Sequence, residues 1–152
     1  MNTHFSLLVA VSFAWFAGTA NASGFECDRV LSALKQERHL SQSSQSNSGQ
    51  TTEFRSGSHI TLSVSCGLVN PNIAVVWDGS TPDSAFYELV GRAGGLVSKR
   101  KAGDLIKAAK QCRNDALQDE SEIAANEQND LAIECQAFTR DGGGTTVFLF
   151  AE

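Results

Sequence analysis

The stretch ITLSVSC, residues 60–66, indicates the fold class of this chain. Large apolar side chains occupy its even positions and hydroxyl side chains its odd positions: Ile60, Leu62 and Val64 alternate with Thr61, Ser63 and Ser65. Because successive side chains of a β-strand point to opposite faces of a sheet, this alternation predicts a strand with one buried face. The apolar side chains at even positions begin with Phe54 and are interrupted by Ser-Gly-Ser at 56–58. This interruption is predicted to be a hairpin turn or a bulge between two short strands.

Two further regions show strand patterns. Residues 73–77, IAVVW, follow an Asn-Pro-Asn turn at 70–72 and are apolar on both faces, which is typical of a central strand or one covered on both sides. Near the C-terminus, alternate positions are again apolar: Leu131, Ile133, Cys135 and Ala137. The turn Asp-Gly-Gly-Gly at 141–144 then predicts a β-hairpin that closes with a strand over residues 145–150.

Apolar residues at helical spacing predict three helices. The first covers residues 26–38, with Cys27, Val30, Leu31 and Leu34 on its apolar side. The second begins at Thr-Pro-Asp, 81–83, which offers a capping hydroxyl, a proline at the first helical position and an acid near the positive helix end. Its apolar face comprises Phe86, Leu89, Val90, Ala93 and Val97. The third begins near Gly103, with Leu105, Ala109, Cys112 and Ala116 on its apolar face.

The glycine-rich basic stretch GRAGGLVSKRKAG, residues 91–103, has two interpretations: a phosphate-binding loop, or the end of one helix and the start of the next. A phosphate loop needs its glycines before a helix, and neither of the common phosphate-loop patterns is present. We therefore predict that Gly94 and Gly95 end the second helix or allow close approach of a neighbouring element. Residues 99–101, Lys-Arg-Lys, are then expected near the negative end of that helix.

Two polar segments are predicted to stay out of the core. Residues 41–50, SQSSQSNSGQ, contain no apolar side chain and are predicted to form a flexible Ser/Gln-rich surface loop. The acidic segment 118–130 has Ile123 as its only large apolar residue, and we expect a solvated helical extension or an acidic loop there.

The first residues, MNTHFSLLVAVSFAWFAGTANA, predict a signal peptide at 1–22. An apolar run of signal length precedes Ala-Asn-Ala at 20–22, a motif typical of a cleavage site, although the expected Lys or Arg before the run is absent. The alternative is a buried N-terminal helix. We predict a single α+β domain at 23–152 that is secreted or periplasmic and has no membrane span after signal removal.

The cysteines, Cys27, Cys66, Cys112 and Cys135, are even in number, and in an oxidising compartment they predict two disulfides. Their separations do not fit a zinc site or a redox motif, so we expect neither a metal nor any other cofactor. Each cysteine falls on the apolar side of its predicted helix or strand. That placement favours the pairs Cys27–Cys66 and Cys112–Cys135, while the other two pairings stay open.

The order of elements predicts an α+β fold: a helix, two or three strands, two helices and a two-stranded hairpin. We expect an antiparallel sheet of four to five strands, with about three helices packed on one face and disulfides holding the layers together.

The charge of the chain argues against one class of function, and two other classes stay open. A net charge of −5 and a pI near 5.1 argue against nucleic acid as a partner. His39 and His59 are predicted to be ordinary surface histidines, and nothing in the sequence brings Asp78 and Asp83 together as a carboxylate pair. With no catalytic residues to assign, we expect a non-enzymatic, protein-binding or inhibitor-like module that acts on another exported protein through its sheet face or loops. The alternative is a small secreted hydrolase whose carboxylates meet only in the folded state.

Overall fold

A computed structural model describes residues 22–128 and 130–152. The predicted signal peptide lies outside these residues except for Ala22, so export and cleavage stay predictions. The described chain contains three α-helices and seven β-strands in the order α1 (Ala22–Lys35), β1 (Ser41–Gln45), β2 (Thr51–Ser56), β3 (Ile60–Ser65), β4 (Asn72–Asp78), α2 (Ser84–Val97), α3 (Ala102–Gln118), β5 (Ile123–Gln128), β6 (Leu131–Phe138) and β7 (Gly144–Ala151).

The strands form one antiparallel sheet in the order β1-β2-β3-β4-β7-β6-β5. Two meanders, β1–β4 and β5–β7, meet at the β4–β7 pair, and α2 and α3 connect them. The fold is therefore α+β, as predicted, but the described sheet has seven strands where the sequence pattern predicts four to five.

Both edge strands lie in segments for which the sequence pattern predicts no strand. Residues 41–50 are not wholly a flexible loop, because Ser41–Gln45 forms β1 and pairs with β2 through an irregular register. Within the acidic segment 118–130, Ile123–Gln128 forms β5 and pairs with β6. Strand pairing uses backbone N–H and C=O groups, so an edge strand can form with side chains that remain in solvent. Apolar periodicity, on which the prediction depended, is absent from such a strand.

The core lies on one face of the sheet. Leu62, Val75 and Val147 stand side by side on β3, β4 and β7 and are all fully buried. Alternation along each strand puts the neighbouring side chains on the opposite, outer face, where they are partly exposed. The buried residues of α1, α2 and α3 join the same hydrophobic cluster.

The helix ends differ in detail from the predictions. α1 ends at Lys35, not residue 38. α2 begins after Asp83, whose carboxylate accepts a hydrogen bond from the Phe86 N–H at 2.9 Å, so Asp83 is the capping residue in place of Thr81. Gly94 and Gly95 lie inside α2, which continues to Val97. They therefore do not end the helix.

Two disulfides connect helices to the sheet. Cys27–Cys66 links α1 to the residue that follows β3, and Cys112–Cys135 links α3 to β6. The structure thus contains the two pairs that the apolar placement of the cysteines favours.

Candidate functional site

The connection from β3 to β4 exposes two adjacent apolar side chains. Leu68 is 65% exposed and Val69 is 78% exposed. They belong to the segment Gly67–Asn70, which we call the anchor loop. The other large apolar residues that are exposed among the described ones, Leu117 and Ile123, are only 37% and 43% exposed. Leu68 and Val69 are therefore the most prominent apolar features of the described surface.

Both ends of the anchor loop are held by the fold. At its start, Cys66 is bonded to Cys27, and the Cys66 N–H donates to the Gln50 carbonyl at 2.7 Å. At its end, the Asn70 side-chain amide donates to the Ala151 carbonyl at 3.4 Å and Pro71 is buried. A loop held in this way loses little conformational freedom when a partner binds it.

A shallow groove lies on the outer sheet face beside the anchor loop. Phe148 and Phe150 form one wall, with nearly parallel rings whose centroids are 5.9 Å apart. The groove has a volume of about 240 Å³ and is lined also by Ser63, Ser65, Asn72 and Ala74. Ser65 and Asn72 stand opposite each other on β3 and β4, immediately before and after the connection that holds the anchor loop. The anchor loop therefore begins and ends close to the groove in the chain, and we call loop and groove together the binding surface.

The sheet beside the binding surface is acidic. Residues 119–138 contain no Lys or Arg. Glu134 stands directly opposite Phe148 on the outer face, and Glu127 stands opposite Ala132, which in turn stands opposite Phe150. None of the ion pairs among the described residues involves Glu127 or Glu134. This side of the surface therefore favours a positively charged partner.

A cleft of about 370 Å³ on the other side of the anchor loop has charged walls. It is lined by Glu26, Arg29, Lys99, Asp130 and Glu152 as well as by Asn70 and Pro71. Two of its carboxylates already have partners: Glu26 pairs with Arg29 at 2.9 Å, and Asp130 accepts the Lys99 backbone N–H at 2.9 Å. The cleft brings carboxylates together, and none of the hydrogen bonds among its described residues links a carboxylate to a hydroxyl group.

Of the histidines and aspartates considered in the sequence, His59 and Asp78 are neighbours through the Asp78 backbone. His59 is exposed, stacks on Trp77 and lies 2.7 Å from the Asp78 carbonyl through Nδ1. The Asp83 carboxylate accepts the Phe86 N–H and caps α2.

His39 is exposed on a surface cavity of about 570 Å³. In that cavity the guanidinium of Arg92 lies 3.0 Å from Glu37 and 4.0 Å from Glu88. Both carboxylates that border His39 are therefore paired with arginine.

The described residues contain no group of three or more potential metal ligands. None of the described helices is both long and apolar enough to span a bilayer. Comparison of the chain with protein-family models, curated proteins and solved structures gave no match.

Sequence reasoning missed the anchor loop. The prediction treats residues 70–72 as a turn and assigns no role to Leu68 and Val69. The signal was available, since two apolar residues between a glycine and an Asn-Pro turn have no strand or helix to bury them. Their exposure, however, depends on where the loop lies in the fold.

A polar corner between α2, α3 and β7 is structural. Arg113 donates to the Thr145 hydroxyl at 3.0 Å and to the Ser80 carbonyl at 2.9 Å, and it also interacts with the buried Tyr87. Burial raises the pKa of Tyr87 above 10.0, while the positive charge and hydrogen bond of Arg113 lower it in part.

We predict that alkaline pH destabilises the fold through Tyr87, the chain's single tyrosine. Above pH 10 the unfolded chain loses the phenol proton that the folded chain retains. The contribution of Tyr87 to the free energy of unfolding is therefore fully present below this pH and is lost as the pH rises through the pKa of Tyr87 in the folded protein. Absorbance at 295 nm should show a higher midpoint for the folded protein than for the protein in urea. Arg113→Gln should raise the folded midpoint further. Equal midpoints in the folded and unfolded protein would contradict the prediction.

Proposed function

We propose that this protein is an exported, non-enzymatic binding module that docks on another exported protein through the binding surface. The observation that carries the proposal is the exposure of Leu68 and Val69 on a loop held at both ends. Leaving two large apolar side chains in water forgoes a free energy on the order of 1.5–3 kcal/mol for each, relative to full burial. A partner that buries them gains this energy at little entropic cost.

The chemistry of the surface defines the kind of partner. Leu68 and Val69 fit an apolar pocket, and the groove beside Phe148 and Phe150 fits a small apolar side chain of the same partner. Glu134, which stands next to Phe148, and Glu127, which lies one strand further out, favour basic residues around that pocket. We therefore propose that the partner is a basic protein with an apolar cleft of its own. This combination suits an inhibitor-like role in which the anchor loop occupies the cleft of the partner.

Export is part of the proposal and is supported by the two disulfides. Such bridges form and persist in oxidising compartments and are rare in the cytosol. Cys66 adjoins the anchor loop directly, so an oxidising compartment is also where this loop is held in place.

The anchor loop can be tested by site-directed cross-linking. A photo-reactive amino acid at Val69 should form one major cross-linked product with an exported protein, and the same amino acid at Leu117, another exposed apolar position, should not. With that partner purified, Leu68→Ser/Val69→Ser should weaken binding ten- to hundredfold in calorimetry. The affinity should also fall as salt is raised, because the proposed partner is basic.

The matched control for the loop variant is Leu117→Ser/Ile123→Ser, which also removes two exposed apolar side chains. This control should bind within twofold of the parent. Equal losses in both double variants, or cross-linking at Leu117 alone, would contradict the assignment of the anchor loop.

The hydrolase alternative rests on the charged cleft, where Glu26, Asp130 and Glu152 share one cavity. A carboxylate mechanism requires one group free to act as acid and another as base or nucleophile. Because Glu26 and Asp130 are engaged by Arg29 and Lys99, the cleft supports this function less than the exposed loop supports binding.

A further inference from the structure

The outer face of the sheet presents a regular array of side chains. The buried residues of the three described helices belong to the core on the inner face, whereas the outward side chains of β3, β4 and β7 are partly exposed. The strand register aligns the outward residues in rows that cross the sheet. We call the middle one the central row: it consists of Glu53, Ser63, Ala74, Phe148 and Glu134, on β2, β3, β4, β7 and β6.

Large and small side chains on this face lie on opposite sides of β4, the fourth of the seven strands. On β3, the outward residues Ser63 and Ser65 are small and line the groove of about 240 Å³. At the equivalent places on β7, on the other side of β4, the outward residues are Phe148 and Phe150. Half of the central face is therefore a groove and the other half is a ridge.

A surface of this shape is complementary to a second copy of itself. A two-fold axis that runs along β4 brings β3 of each copy opposite β7 of the other and keeps the rows in register, so Phe148 lies over Ser63 and Phe150 lies over Ser65. Two sheets that pack face to face are about 10 Å apart, a distance that one large and one small side chain can fill. A two-fold axis across the strands instead sets Phe148 against Phe148 and Ser63 against Ser63, which leaves a gap.

The area available for this contact is that of a weak interface. The twist of the sheet separates its corners from a facing sheet, so the contact is limited to about five central strands. With strands about 4.8 Å apart and a rise of about 3.4 Å per residue, five strands of about six residues cover roughly 500 Å² in each copy. The total of about 1,000 Å² is near the lower limit for a specific interface and is typical of a reversible one.

The charges at the ends of the central row oppose the contact in part. The two-fold axis along β4 brings Glu134 of one copy opposite Glu53 of the other, and Arg55 lies 3.7 Å from Glu53. Two carboxylates that share one guanidinium still repel each other, and salt screens this repulsion. Self-association is therefore expected to strengthen with salt, whereas binding of the proposed basic partner is expected to weaken.

We infer that the outer face binds a second copy of this chain, in a weak and reversible dimer whose two-fold axis runs along β4. In this dimer the groove of each copy receives Phe148 and Phe150 of the other. The dimer and the proposed partner use the same groove and therefore exclude each other. Self-association is thus a closed form of the binding surface that is populated at high protein concentration. The inference does not depend on the existence of the proposed partner.

Sedimentation of the disulfide-bonded protein over a range of concentrations up to about 1 mM tests the inference. We expect a reversible equilibrium between monomer and dimer. Ser63→Phe, which sets Phe against Phe between the copies, should weaken dimerisation at least tenfold. Phe148→Ser, which leaves a void, should also weaken it. The double variant Ser63→Phe/Phe148→Ser exchanges the two sizes, so a large side chain again faces a small one, and its dimerisation should return to within threefold of that of the parent.

The matched control is Ser44→Phe, an exposed position on the edge strand β1 and outside the five central strands. It should dimerise within twofold of the parent. Circular dichroism shows whether each variant is folded. If a variant of Phe148 does not fold, Ala74→Glu takes its place, because residue 74 lies on the two-fold axis and the two introduced carboxylates repel each other across it.

Glu134→Gln separates this inference from the proposed function. The variant should strengthen dimerisation, since it removes the repulsion from Glu53 of the other copy, and it should weaken binding of the basic partner. A protein that stays monomeric at about 1 mM but cross-links to a partner through residue 69 overturns the dimer alone. The inference is also overturned if Ser63→Phe dimerises as well as the parent, or if the exchange of sizes in a folded double variant does not restore dimerisation.

Discussion

Replacing Cys112 and Cys135 together by alanine is expected to lower the free energy of unfolding by about 3–4 kcal/mol. The bridge closes a loop with a sequence separation of 23 residues, and opening it returns roughly 3 kcal/mol of chain entropy to the unfolded state. Both residues are almost completely buried, at 2% and 0% exposed, so the variant also loses packing between α3 and β6. A domain of this size has about 5–15 kcal/mol of stability in total.

Urea unfolding followed by circular dichroism measures this loss. The comparison variant is Cys27→Ala/Cys66→Ala, which opens a loop with a separation of 39 residues and should lose a similar amount. Only this second variant frees one end of the anchor loop, so only it should also weaken partner binding at a temperature where both variants are folded. A loss below 1 kcal/mol in either variant, or equal binding by both, would argue against these roles.

Gly91→Val is expected to destabilise the protein by about 3 kcal/mol. A Cβ atom at Gly91 would lie 2.9 Å from the Ala102 carbonyl oxygen and 2.9 Å from a side-chain carbon of Ile106, so α2 and α3 would have to separate. Overpacking of this kind costs roughly 1–3 kcal/mol, and the branched side chain of valine adds further crowding. The close approach that the sequence assigns to Gly94 or Gly95 thus occurs at Gly91, and also at Gly94, which lies against Leu105.

The same substitution at Gly95 is the control. A Cβ there would meet only the Arg100 carbonyl at 3.8 Å, an ordinary contact, and the position is exposed on the same helix. Gly95→Val should stay within about 0.5 kcal/mol of the parent, because valine and glycine differ little in helix propensity. Thermal and urea unfolding of both variants measure the difference. Similar losses at the two positions would show that helix propensity, not contact with α3, determines the effect.

Regular burial made much of this fold predictable. Ile60, Leu62 and Val64 alternate because one face of β3 is buried, and Leu105, Ala109 and Cys112 recur because one side of α3 is buried. The cysteines lie on these same apolar sides, and the two bridges join helix to sheet accordingly. Where one face of an element is buried, the pattern of side chains records both the element and its orientation.

Two strands and the candidate sites depended on tertiary structure. Ser41–Gln45 and Ile123–Gln128 are strands because β2 and β6 offer backbone partners, an interaction that leaves no mark on side-chain periodicity. Leu68 and Val69 become a candidate anchor only because the fold leaves them exposed between a disulfide and a buried proline. The basic residues 99–101 lie in the short connection between two helices because α2 continues to Val97 and α3 begins at Ala102. Local side-chain patterns thus determined which segments are buried. Long-range contacts decided which backbone edges pair and which apolar and charged groups remain without a partner.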